Sequence, residues 1–153
     1  MAIMLKFHHF LLVENDAQEA AILARAFEAI PDCGTVAVAR NVSEAKAYLK
    51  GAGLYADRRK YKLPSTILSS LRVDGDSGVD LLIWVKEQAR LKRIPFVLLT
   101  PHSASTEELK PARTAAGVKV AKKPASPEEL RGMLENLAEE ICSDKTHAGN
   151  MDS

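Results

Sequence analysis

The sequence has 153 residues, of which 46% are hydrophobic and 27% are charged, and its formal net charge is +1. This length suits one domain with a sizeable core, and the composition is typical of a soluble globular protein. The charge gives no general field for nucleic acid or a membrane surface, no apolar run approaches the roughly 20 residues that span a bilayer, and the start of the chain lacks the layout of a signal peptide. Two cysteines, Cys33 and Cys142, do not indicate a disulfide framework or a metal cluster, so we expect reduced thiols in a cytoplasmic protein.

Short apolar runs alternate with helical patterns through the first half of the chain. The periodicity predicts strands over 7–13, 35–39 and 65–70, with helices over 16–29 and from Asn41 or Ser43 to Leu49. Asp16 is suited to cap the first helix, because its carboxylate accepts hydrogen bonds from the unpaired amides of the first turn. We expect the insertion from Gly51 to Pro64 to form a solvated loop.

The same alternation continues to residue 141. It predicts helices over 79–91 and 107–116, strands over 94–100 and 118–121, and a last helix that begins at Ser126-Pro127 and ends near Ile141. We therefore expect one domain over residues 1–142, followed by a polar, disordered tail over 143–153. Five strand–helix units predict a parallel sheet that is covered on both faces.

Polar residues follow four of the predicted strands. They are Glu14 and Asn15, then Ser70, then Thr100, then Lys123. The carboxyl ends of parallel strands meet at one edge of a sheet, where open α/β sheets place their binding sites. The sequence therefore predicts one pocket that holds an acid, an amide, two hydroxyls and an ammonium group.

Three motifs stand in this order at suitable distances: Leu11–Asp16, Leu98–Thr100 and Lys123-Pro124. With them, the chain from Phe7 to Ile141 resembles the receiver domain of two-component response regulators. The insertion before Leu63-Pro64 also resembles that of stand-alone receivers paired with phytochrome-type sensor kinases. The resemblance implies a flavodoxin-like (βα)5 three-layer sandwich with strand order 2-1-3-4-5.

The resemblance also implies a chemistry for the pocket. In the family, two acids after the first strand hold Mg²⁺, and an aspartate at the end of the third strand accepts a phosphoryl group from a histidine kinase. A threonine or serine and a lysine contact the phosphate, and an aromatic residue of the fifth strand changes rotamer. Here Glu14, Thr100 and Lys123 match that pattern, whereas Asn15, Ser70 and Val120 depart from it.

These departures remove the expected reaction. Mg²⁺ is usually held by carboxylates together with phosphate and water, so the vestigial pair Glu14 and Asn15 predicts weak or absent Mg²⁺ binding and no other cofactor. A serine hydroxyl needs a base to take its proton, so Ser70 is not expected to accept a phosphoryl group in a phosphorelay. Because a buried ammonium needs a paired charge, we predict a contact between Lys123 and Glu14, direct or through water.

We therefore expect a receiver that is not an enzyme, has no catalytic residue, and signals by protein–protein contact without aspartyl phosphorylation. Its partner would be a signalling protein such as a sensor kinase or an effector, not nucleic acid or a membrane, and a homodimer stays open. The expected contact face, which receivers commonly use, comprises the fourth helix, the fifth strand and the fifth helix. Its residues are Glu107, Glu108, Lys110, Arg113, Lys119, Lys122 and Glu128. Two alternatives stay open: a conventional receiver that uses another acid, such as Asp74 or Asp76, and a module that binds a small molecule in the degenerate pocket.

Overall fold

A five-stranded parallel sheet organises the chain. The computed structural model describes residues 8–30 and 34–152, with side chains described up to residue 142. The sheet strands are β1 (His8–Val13), β2 (Gly34–Ala39), β3 (Thr66–Ser70), β6 (Phe96–Thr100) and β7 (Val118–Lys122). They lie in the order β2-β1-β3-β6-β7. A short antiparallel hairpin, formed by β4 (Arg72–Val73) and β5 (Asp76–Ser77), follows β3 and lies outside this sheet. The flavodoxin-like fold and the predicted strand order are confirmed.

Five α-helices cover the sheet. They are α1 (Ala17–Glu28), α2 (Val42–Lys50), α3 (Gly78–Glu87), α4 (Thr106–Thr114) and α5 (Pro127–Asp152). Asp16 caps α1 and Asn41 caps α2 through their side-chain oxygens, as their residue types predict. The backbone of α5 stays helical beyond Ile141, into the residues for which the sequence predicted a disordered tail. The division into a domain of residues 1–142 and a tail of 143–153 stays a prediction.

The core lies in two layers, one on each face of the sheet. Along β1, Leu11 and Val13 belong to the layer beneath α2, α3 and α4, whereas Phe10 and Leu12 belong to the layer beneath α1 and α5. This alternation follows from the two-residue period of a strand. Because both faces are covered, β1, β3 and β6 are almost wholly buried, and their polar residues are confined to the strand ends.

The insertion before β3 is exposed along most of its length, as predicted, but its tyrosines anchor it to the core, which the sequence did not indicate. Tyr55 and Tyr61 pack against the core, and their rings contact that of Tyr48 on α2 with centroids 5.2 and 6.1 Å away. The guanidinium of Arg58 donates to the backbone carbonyls of Tyr48, Leu49 and Tyr61 at 2.7–3.1 Å. The bond to Leu49 supplies a partner for a carbonyl in the last turn of α2, and the bond to Tyr48 adds to the one from the Gly51 amide.

The prediction of reduced thiols is wrong for Cys142, which is disulfide-bonded. Cys142 packs beside the core layer of α1 and α5. The spacing of the cysteines in the sequence does not indicate this packing. Cys33 lies outside the described residues. Within the described ranges, no helix is both long enough and apolar enough to cross a membrane.

Candidate functional site

The carboxyl edge of the sheet brings together three of the five predicted pocket residues. Glu14 follows β1, Ser70 ends β3 and Lys123 follows β7. Glu14 and Ser70 are buried, with 4% and 1% of their surface exposed. The Ser70 hydroxyl donates a hydrogen bond to Oε1 of Glu14. The Lys123 ammonium lies 3.6 Å from the same oxygen and donates to Oγ of Ser70 at 3.3 Å. The predicted contact between Lys123 and Glu14 is confirmed.

A residue that sequence reasoning missed completes this cluster. Glu19, in the first turn of α1, accepts a hydrogen bond from Nζ of Lys123 at 2.7 Å, which makes it the nearer of the two acids. The turn that follows β1 determines this placement, because Asp16 caps α1 by accepting from the backbone amides of Gln18 and Glu19. The sequence signal that could have indicated this partner for Lys123 is an acid in the first turn of the helix that follows β1.

The two other predicted pocket residues adjoin the cluster through the backbone: Asn15 follows Glu14, and the carbonyl of Thr100 accepts from the backbone amide of Lys123 at 2.7 Å. Asn15 is exposed on the turn after β1. Thr100 is fully buried, and its hydroxyl donates to the backbone carbonyl of Ala121 at 3.5 Å. Val120 is half-buried and packs against the core layer beneath α2, α3 and α4. The pocket is therefore a charged cluster of Glu14, Glu19, Ser70 and Lys123, with Thr100 behind it.

The end of β3 is also fixed by close packing from α3. A Cβ atom added to Gly78, the first residue of α3, would lie 2.3 Å from the carbonyl oxygen of Ser70 and 2.9 Å from Oγ of Ser69. The backbone amide of Gly78 donates to the carbonyl of Leu71 at 2.6 Å. Glycine allows this close approach because it has no Cβ, and it holds the Ser70 backbone in place.

Two comparisons with known proteins bear on this arrangement. No protein-family model matches the chain. A probable methanogenesis regulatory protein, FilR2 from Methanothrix harundinacea (strain 6Ac), is 32% identical over 132 residues, which cover 84% of this chain and 80% of that protein. The phosphorylated cyanobacterial phytochrome response regulator RcpA superimposes with a TM-score of 0.79 at 25% identity, over 88% of this chain and 93% of that one.

This chain belongs to the response regulator receiver family. The bacteriophytochrome response regulator RtBRR is similar too, with a TM-score of 0.65 and 26% identity over 87% of this chain and 78% of that one. The Mn²⁺-bound response regulator Rcp1 shares the fold, with a TM-score of 0.75 and 22% identity over 85% of this chain and 91% of that one.

Both carboxylate oxygens of Glu14 are engaged by groups of the chain itself. Oε1 of Glu14 accepts the Ser70 hydrogen bond and faces the Lys123 ammonium, and Oε2 accepts from the backbone amide of Asp16 at 3.0 Å. Mg²⁺ requires near-octahedral oxygen ligands that are free to coordinate. Among the described residues, no group of three or more His, Cys, Asp or Glu side chains is placed to hold a metal ion.

A groove of about 420 Å³ borders the cluster, between the first turn of α1 and the loops that follow β6 and β7. Its lining includes Glu19, Lys123 and His102, together with Ser126 and Pro127 at the start of α5. The two alternative phosphoacceptors are not in this lining. Asp74 and Asp76 are exposed in the β4–β5 hairpin, and Asp74 has a left-handed backbone conformation with φ of 51°.

The predicted contact face is largely exposed. It is formed by α4, β7 and the start of α5, and six of its seven predicted residues are exposed, namely Glu107, Lys110, Arg113, Lys119, Lys122 and Glu128. Two residues of the face make ion pairs within the chain: Lys119 contacts Glu140 at 2.9 Å, and Glu108 contacts Arg72 of β4 at 2.7 Å. The bonds from Arg72 lower the pKa of Glu108. The Arg72 pair ties α4 to the hairpin after β3.

Proposed function

We propose that this protein is an atypical receiver that signals by protein–protein contact and does not carry an aspartyl phosphate. The observation that supports it most directly is the hydrogen bond from Ser70 to Glu14 at the end of β3, within a cluster whose ammonium already has two acidic partners. On this proposal the protein is not an enzyme, and it binds Mg²⁺ weakly or not at all.

The charge distribution of the cluster favours this proposal. Phosphoryl transfer requires a nucleophile positioned in line and a cation that neutralises the developing charge. Ser70 offers a protonated hydroxyl, and the nearby cation, Lys123, is held 2.7 Å from Glu19. An incoming phosphate would have to displace Glu19 from Lys123 and would then lie close to the Glu14 carboxylate. Both effects oppose the binding of an anion.

The output would pass through the exposed face of α4, β7 and α5. Its charges are mixed in sign, an arrangement that supports selective pairing through complementary potentials. The partner we propose is a signalling protein, either a sensor kinase or an effector, and the likeness to RcpA and RtBRR favours a kinase of the phytochrome type. A homodimer through the same face is the alternative partner.

A cytoplasmic location belongs to the same proposal and has its own test. Fractionation of the source cells should recover the protein with the cytoplasmic proteins, and recovery outside the cytoplasm would contradict this part of the proposal. The disulfide at Cys142 makes that test necessary, since the cytoplasm keeps most thiols reduced.

A thermal-shift panel separates the proposal from its two alternatives. We expect no stabilisation by Mg²⁺ with beryllofluoride, which mimics a phosphoryl group on an acid. Stabilisation by that mixture would instead support a conventional receiver that uses Asp74 or Asp76. Stabilisation by a nucleotide or another metabolite, abolished by substitutions in the 420 Å³ groove, would support the small-molecule module. The control is Ser70→Ala, which removes the hydroxyl and leaves the surrounding charges unchanged. Like the wild-type chain, it should show no stabilisation by Mg²⁺ with beryllofluoride.

A further inference from the structure

Positive charge is concentrated in two segments of the chain. Residues 50–62 and 86–93 contain nine of the 21 lysines and arginines but two of the 20 acids. The remainder of the chain is therefore acidic, and the overall charge of +1 conceals this asymmetry. Clustered charge of one sign attracts and orients a partner of the opposite sign. The segments are distant in sequence, so a shared function requires that the fold bring them together.

The fold brings one cation of each segment, Lys50 and Arg90, to a groove of about 400 Å³ between the ends of α2 and α3. Leu49 and Leu91 are buried in it, while Leu63 of the insertion has 41% of its surface exposed. Lys50 and Arg90 are exposed in the same lining, which contains no acid. The groove thus combines an apolar floor with a basic rim.

The groove is held in a fixed shape by the insertion. Arg58 joins the end of α2 to Tyr61 by hydrogen bonds of 2.7–3.1 Å, and the three tyrosine rings of this region contact one another. Leu63 is therefore presented by an ordered segment. A preformed surface binds more tightly because less conformational freedom is lost on association.

We propose that this basic groove binds an acidic segment of a partner protein, with an apolar side chain of that segment against Leu63 and its carboxylates beside Lys50 and Arg90. The leucine floor favours protein over nucleic acid. Sites for single-stranded nucleic acid stack bases on aromatic faces, whereas the residues that line this groove include no aromatic side chain.

This surface is separate from the face proposed for output. The residues that line the groove include none of the seven residues of that face. The inference therefore goes beyond the proposed function, and it holds whether or not Ser70 can be phosphorylated. It would allow the domain to contact two proteins at once.

Fluorescence anisotropy tests the groove with a short labelled peptide that places one leucine among glutamates. We expect Lys50→Glu/Arg90→Glu to weaken binding by roughly tenfold or more, since two attractive contacts become repulsive. The matched control, Lys110→Glu/Lys122→Glu, makes the same change in net charge on the output face and should alter binding by no more than about twofold. Leu63→Ser, and a peptide with serine in place of leucine, should each weaken binding several-fold.

Three results would overturn the proposal. The first is no binding of the peptide to the wild-type chain. The second is an equal loss in the control pair, which would mean non-specific attraction. The third is tighter binding of duplex DNA with the same dependence on Lys50 and Arg90. None of these results depends on the phosphorylation state, so failure here is distinguishable from failure of the proposed function.

Discussion

Replacing Lys123 by methionine tests the energetic role of the charged cluster. The Nζ atom lies 3.6 Å from Oε1 of Glu14, and the exposed fractions of these two side chains are 16% and 4%. At an effective dielectric constant of about 20, that distance corresponds to roughly 5 kcal/mol of Coulomb attraction, much of which is offset by desolvation. Removing one partner from a buried pair typically costs about 3–5 kcal/mol.

Local hydrogen bonds to Glu14 place the expected loss of unfolding free energy at the lower end of that range. Without Lys123, Glu14 still accepts from the Ser70 hydroxyl and the Asp16 amide, and Glu19, at 36% exposure, can be solvated by water. We therefore expect Lys123→Met to lower the free energy of unfolding by about 3 kcal/mol. In a domain of this size that loss corresponds to a fall in Tm of roughly 6–12 °C.

Urea denaturation followed by the fluorescence of Trp84, the single tryptophan, measures this loss. The matched variant is Lys123→Met/Glu14→Gln, which removes both charges and keeps an amide oxygen for the Asp16 amide. It should be more stable than Lys123→Met by about 1 kcal/mol or more, because no buried charge is left unpaired. A loss below about 1 kcal/mol in Lys123→Met, or a double variant no more stable than the single one, would refute the reasoning.

Three further predictions concern contacts around the site. Gly78→Ala should lower the free energy of unfolding by about 1–3 kcal/mol, because the new Cβ would meet the Ser70 backbone 2.3 Å away; an unchanged denaturation midpoint would refute this. Arg72 lowers the pKa of Glu108, so the pair stabilises the fold above the unfolded-state pKa and this contribution is lost as pH falls through the folded-state value; denaturation across that acid range should show a smaller pH dependence in Arg72→Ala. Arg58→Ala removes three hydrogen bonds to backbone carbonyls and should speed amide hydrogen exchange across residues 51–64; unchanged exchange there would contradict the packed insertion.

Local pattern was sufficient to predict the strands and helices of a covered parallel sheet, whereas the strand order came from the resemblance to receiver domains. Short apolar runs that end in polar residues located the strands of the sheet, and Asp16 and Asn41 marked where α1 and α2 begin. The contact between Lys123 and Glu14 was also predictable, because both follow strands of one parallel sheet and a buried ammonium needs an acid.

Long-range side-chain contacts were not predictable in the same way. The pairing of Glu19 with Lys123 depends on how the first turn of α1 lies over the sheet edge, and that of Arg72 with Glu108 depends on a hairpin of two-residue strands. Arg58 stands in a basic run, so its sequence context indicates a solvated side chain. Its hydrogen bonds depend on the fold, which places the end of α2 next to its guanidinium.

Incubation with acetyl phosphate and Mg²⁺, followed by intact mass measurement, tests the central claim most directly. We expect the wild-type chain to keep its mass, because the Ser70 hydroxyl is hydrogen-bonded to Glu14 and the Lys123 ammonium is paired with Glu19. The positive control is Asn15→Asp/Ser70→Asp, which restores the acids of the family pattern and should gain the mass of one phosphoryl group. A wild-type chain that gains that mass, with the group mapped to any residue of the pocket or the adjoining hairpin, would contradict a receiver that signals without phosphorylation.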